Sequence, residues 1–290
     1  MVAVSYHTDP ACPWSWALEP VVRKLMIVFG EELRWRFVMG GLAREFGAPG
    51  SRTPLDPGTR AELVDDWLRV AAQTGAPLDP LVWSDGALAS SYPACMAVEA
   101  AAEQAPDGGY RYLRRLREGI MCERRKLDHA EALVEQGREA GLDVERLRVD
   151  LGSHAITEAF AADLERTQEL ASEAAAAGNG AAPQASHGAG GAPLPSMVLT
   201  GDGGERHAVL GYRPFEAYRD AAASAGASPS GSAPPSVEAL VERFGRVTTA
   251  EVEVVCELPG PRAGAELFRL AEAWRLRPVW RLTGYLWERA

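Results

Sequence analysis

The clearest potential for chemistry in this chain lies near its N-terminus, in the segment Cys12-Pro13-Trp14-Ser15. A β-branched and aromatic run ends just before it at Asp9-Pro10, and the apolar positions that follow recur with a helical period. The sequence therefore predicts a strand, a turn and a helix that begins at Cys12, with Pro13 in the first turn, where helices accept proline. Backbone N–H groups at a helix N-terminus favour the thiolate, the nucleophilic form of cysteine. We expect Cys12 to be a reactive thiol with a lowered pKa.

Four neighbouring side chains are expected to contribute to this thiol site. Ser15 follows Cys12 by about one helical turn, so its hydroxyl can donate a hydrogen bond to the sulfur. Trp14 and Trp16 are expected to form an aromatic rim. His7 directly precedes the motif, and two roles stay open for it: tuning of Cys12, or a satisfied position at the end of the strand.

The other three cysteines are Cys95, Cys122 and Cys256. Cys95 follows Pro93 at the start of a predicted helix, so core packing and a resolving role toward Cys12 both stay open. Cys122 and Cys256 lie on apolar helix faces, which is typical of structural thiols. The wide spacing of the cysteines and histidines predicts no metal site.

Composition narrows the class of function. The 290 residues carry a formal net charge of -10, which disfavours contact with a phosphate backbone, so no nucleic-acid partner is expected. We find no run of roughly 20 apolar residues and no signal-peptide pattern, so we expect no membrane association and a cytoplasmic location with four free thiols. The oligomeric state stays open.

The periodicity of the chain predicts an α/β fold. Val2–Thr8 and Leu33–Met39 alternate like strands and flank a helix that runs from Cys12 to about Phe29 with a kink at Pro20. A large all-helical insertion occupies about 60–175, with helices at 61–74, 93–104, 110–125, 129–140 and 156–174. A hairpin at 196–200 and 207–210 and a helix at 215–223 complete the first domain, residues 1–225.

Two segments are predicted to be connections. Residues 175–193 are rich in Ala and Gly and are expected to be a flexible connection or a frayed helix end, and residues 226–235 are a Gly/Ser/Pro linker. Residues 236–290 are expected to form a separate small module of three helices and a hairpin, similar to a winged helix. Its Arg and Glu are about balanced, so we do not expect it to bind DNA.

Several segments resemble one protein family. Residues 7–20 resemble the active-site segment of the DsbA-like thioredoxin superfamily, closest to the cytosolic branch that includes FrnE-type proteins and the ClpXP-adapter relatives of DsbA. Residues 91–98 and 112–118 resemble the helical insertion of that branch, and residues 194–198 resemble the segment that carries its cis-proline. The resemblance covers about residues 2–225, with the C-terminal module outside it.

The resemblance implies a thioredoxin-like fold in which a cis Pro195 faces Cys12. The backbone of Leu194 or Ser196 would then turn toward the sulfur, where a substrate chain can pair as an extra strand. Dithiol members of the family have a second cysteine where this chain has Ser15. An internal disulfide therefore cannot form at the motif, which argues against simple dithiol chemistry.

Three functions remain open on the sequence. The first is a monothiol disulfide-exchange protein that acts through Cys12 on a protein client or a small thiol. The second is a non-catalytic adapter that binds a protein client for proteolysis or regulation. The third is a transferase or isomerase that uses a low-molecular-weight thiol, glutathione or an analogue, as cofactor; no cofactor is firmly implied. Related glutathione transferases and isomerases have Ser at the first motif position, so that role transfers poorly to Cys12.

Overall fold

The computed structural model describes residues 1–47, 55–84, 87–178 and 184–290. The strands in these residues are β1 (Val2–Thr8), β2 (Leu33–Met39), β3 (Ser186–His187), β4 (Pro193–Leu194), β5 (Ser196–Thr200), β6 (Arg206–Leu210), β7 (Val247–Thr248), β8 (Leu276–Arg281) and β9 (Gly284–Arg289). The α-helices are α1 (Pro13–Ala17), α2 (Glu19–Val28), α3 (Pro57–Thr74), α4 (Tyr92–Ala102), α5 (Gly108–Glu123), α6 (Ala130–Glu139), α7 (Val144–Asp150), α8 (His154–Ala176), α9 (Phe215–Ser224), α10 (Val237–Phe244), α11 (Thr249–Val255) and α12 (Pro261–Glu272).

The central sheet has the strand order β2-β1-β5-β6. β1 and β2 are parallel, as the predicted β-α-β opening requires, while β5 is antiparallel to β1 and β6 is antiparallel to β5. Apolar residues of β1, such as Val4 and Tyr6, pack with Leu25 of α2 and with Tyr218 of α9 in one buried cluster. The predicted strands and hairpin are therefore confirmed, and the sheet brings the end of β1 beside the start of β5.

The first helix differs from the prediction. The sequence predicts one long helix with a kink, whereas the structure has two helices, α1 and α2, that meet at Leu18. Pro20 has no N–H to donate to the carbonyl group four residues before it, and its ring crowds that carbonyl, so the helix breaks and restarts. As a result α1 has only five residues.

The helical insertion is present, and its described residues form one α-helix more than predicted. Five of its helices lie close to the predicted ranges, and α7 is the addition, with the Asp143 carboxylate accepting hydrogen bonds from Glu145 N and Arg146 N at its start. The segment after the insertion also differs from the prediction. Residues 186–187 and residue 193 were expected in a flexible connection or a frayed helix end, but β3 and β4 pair there as a short antiparallel ladder. Residues 179–183 of that predicted connection lie outside the described residues.

The C-terminal module has the predicted three helices and hairpin, β8 and β9, and the structure adds β7 beside β9 in a small sheet of strand order β7-β9-β8. It has its own apolar cluster, which includes Leu240, Leu267 and Trp287. The module is nevertheless attached to the rest of the chain rather than separate. The Thr283 hydroxyl accepts a hydrogen bond from Leu78 N at 2.7 Å and donates one to Leu78 O at 3.0 Å.

A buried network of charges completes this attachment. We call it the docking network; its members are three acidic and three basic residues from α2, α5 and α11, namely Glu19, Glu118, Glu251, Arg23, Arg114 and Arg117. Arg114 Nη1 lies 2.6 Å from Glu251 Oε1, and Arg23 Nη1 lies 3.1 Å from Glu251 Oε2. Arg117 pairs with Glu19. Because opposite charges are equal in number and closely paired, the network can lie in the interior without an uncompensated charge.

Candidate functional site around Cys12

The turn between β1 and α1 places Cys12. Asp9 Oδ1 accepts a hydrogen bond from Ala11 N at 2.8 Å, and Asp9 O accepts one from Cys12 N at 3.2 Å. Cys12 is the N-cap residue of α1, and its sulfur accepts a hydrogen bond from Ser15 N at 3.3 Å. The predicted order of strand, turn and helix start is therefore confirmed.

The predicted proline also lies at the site. The peptide bond between Leu194 and Pro195 is cis. Cys12 Sγ lies 3.7 Å from Leu194 O, to which the thiol donates a weak hydrogen bond. The structure thus brings together two segments that are 182 residues apart in sequence, as the resemblance implies.

The sulfur is covered by the chain itself. Cys12 is 0% exposed. Ser186 of β3 pairs with Leu194 of β4, and the Ser186 hydroxyl also reaches the sulfur of Cys12. The edge of β4 beside Cys12, where a substrate strand was expected to pair, is therefore occupied by β3.

Because of this cover, the pKa of Cys12 shifts in the direction opposite to the one that the sequence predicts. Burial raises the pKa of the thiol, because the thiolate loses its hydration. The backbone N–H of Ser15 and the hydroxyl of Ser186 lower the pKa, and the negative charge of Asp9 raises it. The Ser15 hydroxyl, which was expected to donate to the sulfur, has no hydrogen-bond partner among the described residues. The net direction is upward from the ordinary value of 9.0. The expectation of a lowered pKa is wrong, because burial outweighs the hydrogen bonds that favour the thiolate.

The two tryptophans of the motif do not form an open rim. Trp14 packs on Tyr212, with ring centroids 5.6 Å apart, and is only 3% exposed. Trp16 donates from Nε1 to Pro77 O at 2.9 Å, and the Arg114 guanidinium stacks 4.4 Å from its ring centroid. Trp16 thus joins the motif to the insertion, which is a structural role rather than the binding role that the sequence predicts.

Two further predicted site residues face away from the sulfur. His7 lies 3.1 Å from Thr167 Oγ1 of α8 through Nδ1, and burial together with nearby arginines lowers its pKa to about 4. Of the two roles left open for His7, the structure supports the satisfied position at the strand end. The Ser196 hydroxyl donates to Pro193 O at 2.7 Å and accepts from Gly211 N at 3.3 Å, so it braces β5.

Asp9 is a site residue that the sequence analysis did not identify. Its Oδ2 accepts hydrogen bonds from Leu42 N at 2.7 Å, from Ser91 Oγ at 2.8 Å and from Cys95 Sγ at 3.2 Å. The carboxylate thus holds the motif turn against the loop after β2 and against α4. The only signal in the sequence was the Asp9-Pro10 turn, which gives no indication of these distant partners.

The remaining thiols are all buried and free. Burial raises the pKa of Cys95 well above its ordinary value, and the Asp9 carboxylate raises it further. Cys122 donates to Pro77 O at 3.2 Å, and burial raises the pKa of Cys256 to about 11. Among the described residues we find no group of three or more His, Cys, Asp or Glu side chains that could hold a metal ion, and no helix long and apolar enough to cross a bilayer.

Three comparisons extend this description. The ClpXP adapter protein SpxH of Halalkalibacterium halodurans is 27% identical over 283 residues, which cover 97% of this chain and 86% of that protein. SpxH of Bacillus subtilis is 26% identical over 284 residues with the same coverage. The structure of the cytosolic disulfide reductase DsbM from Pseudomonas aeruginosa superposes with a TM-score of 0.54 at 23% identity and covers 77% of this chain and 96% of its own, which shows a shared fold.

The alignments to SpxH also correct one boundary. Because they cover 97% of the chain, they include the C-terminal module, which the sequence analysis placed outside the resemblance. The family model described as Thioredoxin matches residues 6–175, which include the Cys12 motif and the predicted insertion. The expected α/β fold of the thioredoxin type, with a helical insertion and a C-terminal module, is confirmed, and this chain belongs to the thioredoxin family.

Proposed function

We propose that this protein is an adapter that binds a protein client and presents it to a ClpXP-type protease. The observation that carries the proposal is the state of Cys12, which is fully buried, hydrogen-bonded to Leu194 O and covered by β3. Disulfide exchange needs an accessible thiolate. A covered thiol with a raised pKa is neither accessible nor ionised. Binding of a client to the protein surface, in contrast, does not require a reactive Cys12.

Two further observations support the adapter function. Ser15 stands where a second motif thiol would be, so the motif holds no internal disulfide. The SpxH proteins align with this chain through the C-terminal module as well as the thioredoxin fold. That module is attached by the docking network and by Thr283, so it adds fixed surface that catalysis at Cys12 would not need.

Monothiol exchange is the second candidate, and the surroundings of the sulfur favour it. Ser15 N donates to the sulfur, and the hydroxyl of Ser186 favours its thiolate. In an exchange step the Cys12 thiolate would attack a client disulfide, forming a mixed disulfide and releasing the other client sulfur as a thiolate. A second thiol, from a client or a small molecule such as glutathione, would then release Cys12. This step requires β3 to leave β4, so that Cys12 becomes accessible.

One experiment separates the two functions. A client captured from the source organism is incubated with purified ClpXP from that organism, with and without this protein, and client degradation is followed over time. Adapter function predicts that the wild type and Cys12→Ser accelerate degradation equally, because Ser replaces the sulfur with little change in volume. Cys256→Ser, at a distant buried thiol, is the matched control. Acceleration by the wild type and the control but not by Cys12→Ser would favour exchange, and no acceleration by any form would overturn the adapter proposal.

A further inference from the structure

One edge of the central sheet has free backbone groups. In a parallel pair, alternate residues of a strand bond to the same neighbour. Gly40 N donates to Thr8 O of β1. By this alternation the backbone groups of Arg34, Arg36 and Val38 also face β1, whereas Met39 N points outward and donates to Asp163.

By the same alternation, the N–H and C=O groups of Trp35 and Phe37 point away from β1. Neither outward N–H meets a hydrogen-bond acceptor in the described part of the chain. This end of β2 can therefore accept another strand.

A groove of about 950 Å³ runs along this edge. Its β2 wall carries Trp35 and Phe37, whose rings stack 5.9 Å apart, and Tyr110 of α5 extends the row at 5.3 Å from Phe37. The opposite wall includes Val98 and Ala102 of α4. The Trp35 indole N–H is buried and has no hydrogen-bond partner within the described residues. The groove therefore offers an apolar row of three aromatic rings.

The charged residues that β2 itself contributes to the groove are both arginines. Arg34 is exposed and forms no ion pair with another described residue, and Arg36, which is 55% exposed, touches Asp163 only at 3.4 Å. Of the acidic groups in the lining, Glu31 is exposed just before β2, Asp107 is paired with Arg111 at 3.1 Å, and burial raises the pKa of Glu99 to about 8. Acidic residues on a bound strand would thus meet Arg34, which has no ion pair among the described residues, and Arg36, which is exposed and shares Asp163 with Arg166.

We propose that the outer edge of β2 binds an extended segment of the protein client in which apolar and acidic residues alternate. Its backbone pairs with Trp35 and Phe37, its apolar side chains lie on the aromatic row, and its acidic side chains lie on the other face of the sheet, opposite Arg34 and Arg36. The proposal rests on the adapter function and names the client chemistry. A second copy of this chain is disfavoured at the same edge, because pairing two β2 strands would bring like charges together.

The test uses the full-length protein and a synthetic peptide of about nine residues that alternates valine and glutamate, long enough to span β2. The proposal predicts binding in which amide exchange at Trp35 and Phe37 slows about tenfold, while exchange at Arg34 and Arg36, which already bond to β1, does not change. A peptide methylated on alternate backbone nitrogens, on the residues facing β2, should bind much more weakly. A valine–lysine peptide should also bind more weakly.

Two surface variants test the charge argument. Arg34→Glu should weaken peptide binding about fivefold, since it replaces a cross-strand attraction with a repulsion. Arg262→Glu, on the exposed face of α12, should leave the affinity unchanged. The proposal is overturned if the valine–glutamate peptide fails to bind at about millimolar concentration, if the methylated or lysine peptide binds equally well, or if protection appears at another strand.

The outcome can be separated from the adapter function itself. Client degradation that is unaffected by Arg34→Glu, together with no peptide binding, would overturn the assignment of the groove and leave the adapter function standing. Peptide binding at Trp35 and Phe37 without any client degradation would support the groove and count against the adapter function.

Discussion

The docking network makes a quantitative prediction at Glu251. This side chain is 0% exposed and lies 2.6 Å from Arg114 and 3.1 Å from Arg23. It also accepts a hydrogen bond from Thr248 N at 2.6 Å, which a glutamine oxygen could still accept. Glu251→Gln therefore mainly removes the charge and leaves two buried arginines with one counter-ion fewer. Breaking a buried pair in this way costs about 3–5 kcal/mol of unfolding free energy.

The assay is chemical denaturation of the full chain, with Glu257→Gln as the matched control. Glu257 also links the C-terminal module to α2, through Lys24 at 3.0 Å, but it is 57% exposed. An exposed pair contributes less than about 1 kcal/mol, so the control should unfold almost like the wild type. A loss at Glu251→Gln as small as that of the control would refute the reasoning that the buried network holds the module in place.

Two predictions concern the pH dependence of stability. Burial lowers the pKa of His7 to about 4 from an ordinary value of 6.5, so the unfolded chain binds a proton in this window that the folded chain does not. The free energy of unfolding should therefore fall by up to about 3 kcal/mol as the pH drops from about 6.5 to about 4. His7→Gln removes this group and should make the fall smaller. A slope of melting temperature against pH that is the same in wild type and His7→Gln would contradict the lowered pKa. Burial and the nearby Asp163 raise the pKa of Glu99 from 4.5 to about 8, so the folded chain keeps a proton there that the unfolded chain releases. The free energy of unfolding therefore falls as the pH rises from about 4.5 to about 8. Glu99→Gln should raise the melting temperature more at pH about 8 than at pH about 5. An equal change in melting temperature at both pH values would contradict the raised pKa of Glu99.

Local patterns in the sequence predicted most of the sheet and the position of the thiol. The alternation of Trp35 and Phe37 with charged residues defined β2, and the proline at residue 13 helped to locate the start of α1. The approach of Pro195 to Cys12 was predicted too, but only from the family resemblance, because no local pattern links residues so far apart. β3 was missed, since two residues in an Ala/Gly-rich segment show no alternation and form a strand only through their partner, β4.

The errors at the site have the same physical origin. The pKa of Cys12 depends on a cover supplied by Ser186 and Leu194, and the charge of an isolated helix start gives no information about that desolvation. His7 was placed beside the motif by sequence, yet its partner Thr167 is 160 residues away. The position of Arg114 likewise depends on a distant partner, Glu251 of the C-terminal module, 137 residues later.

The measurement that decides most directly between a covered and a reactive thiol is the pKa of Cys12 in the folded, unmodified protein. The rate of alkylation at Cys12 would be followed by peptide-resolved mass spectrometry between pH about 6 and 10. We expect slow modification near neutral pH and a rate that is still rising at the ordinary cysteine pKa of 9.0. A rate that levels off below pH about 8 would contradict this account, because it would show an accessible thiolate at physiological pH.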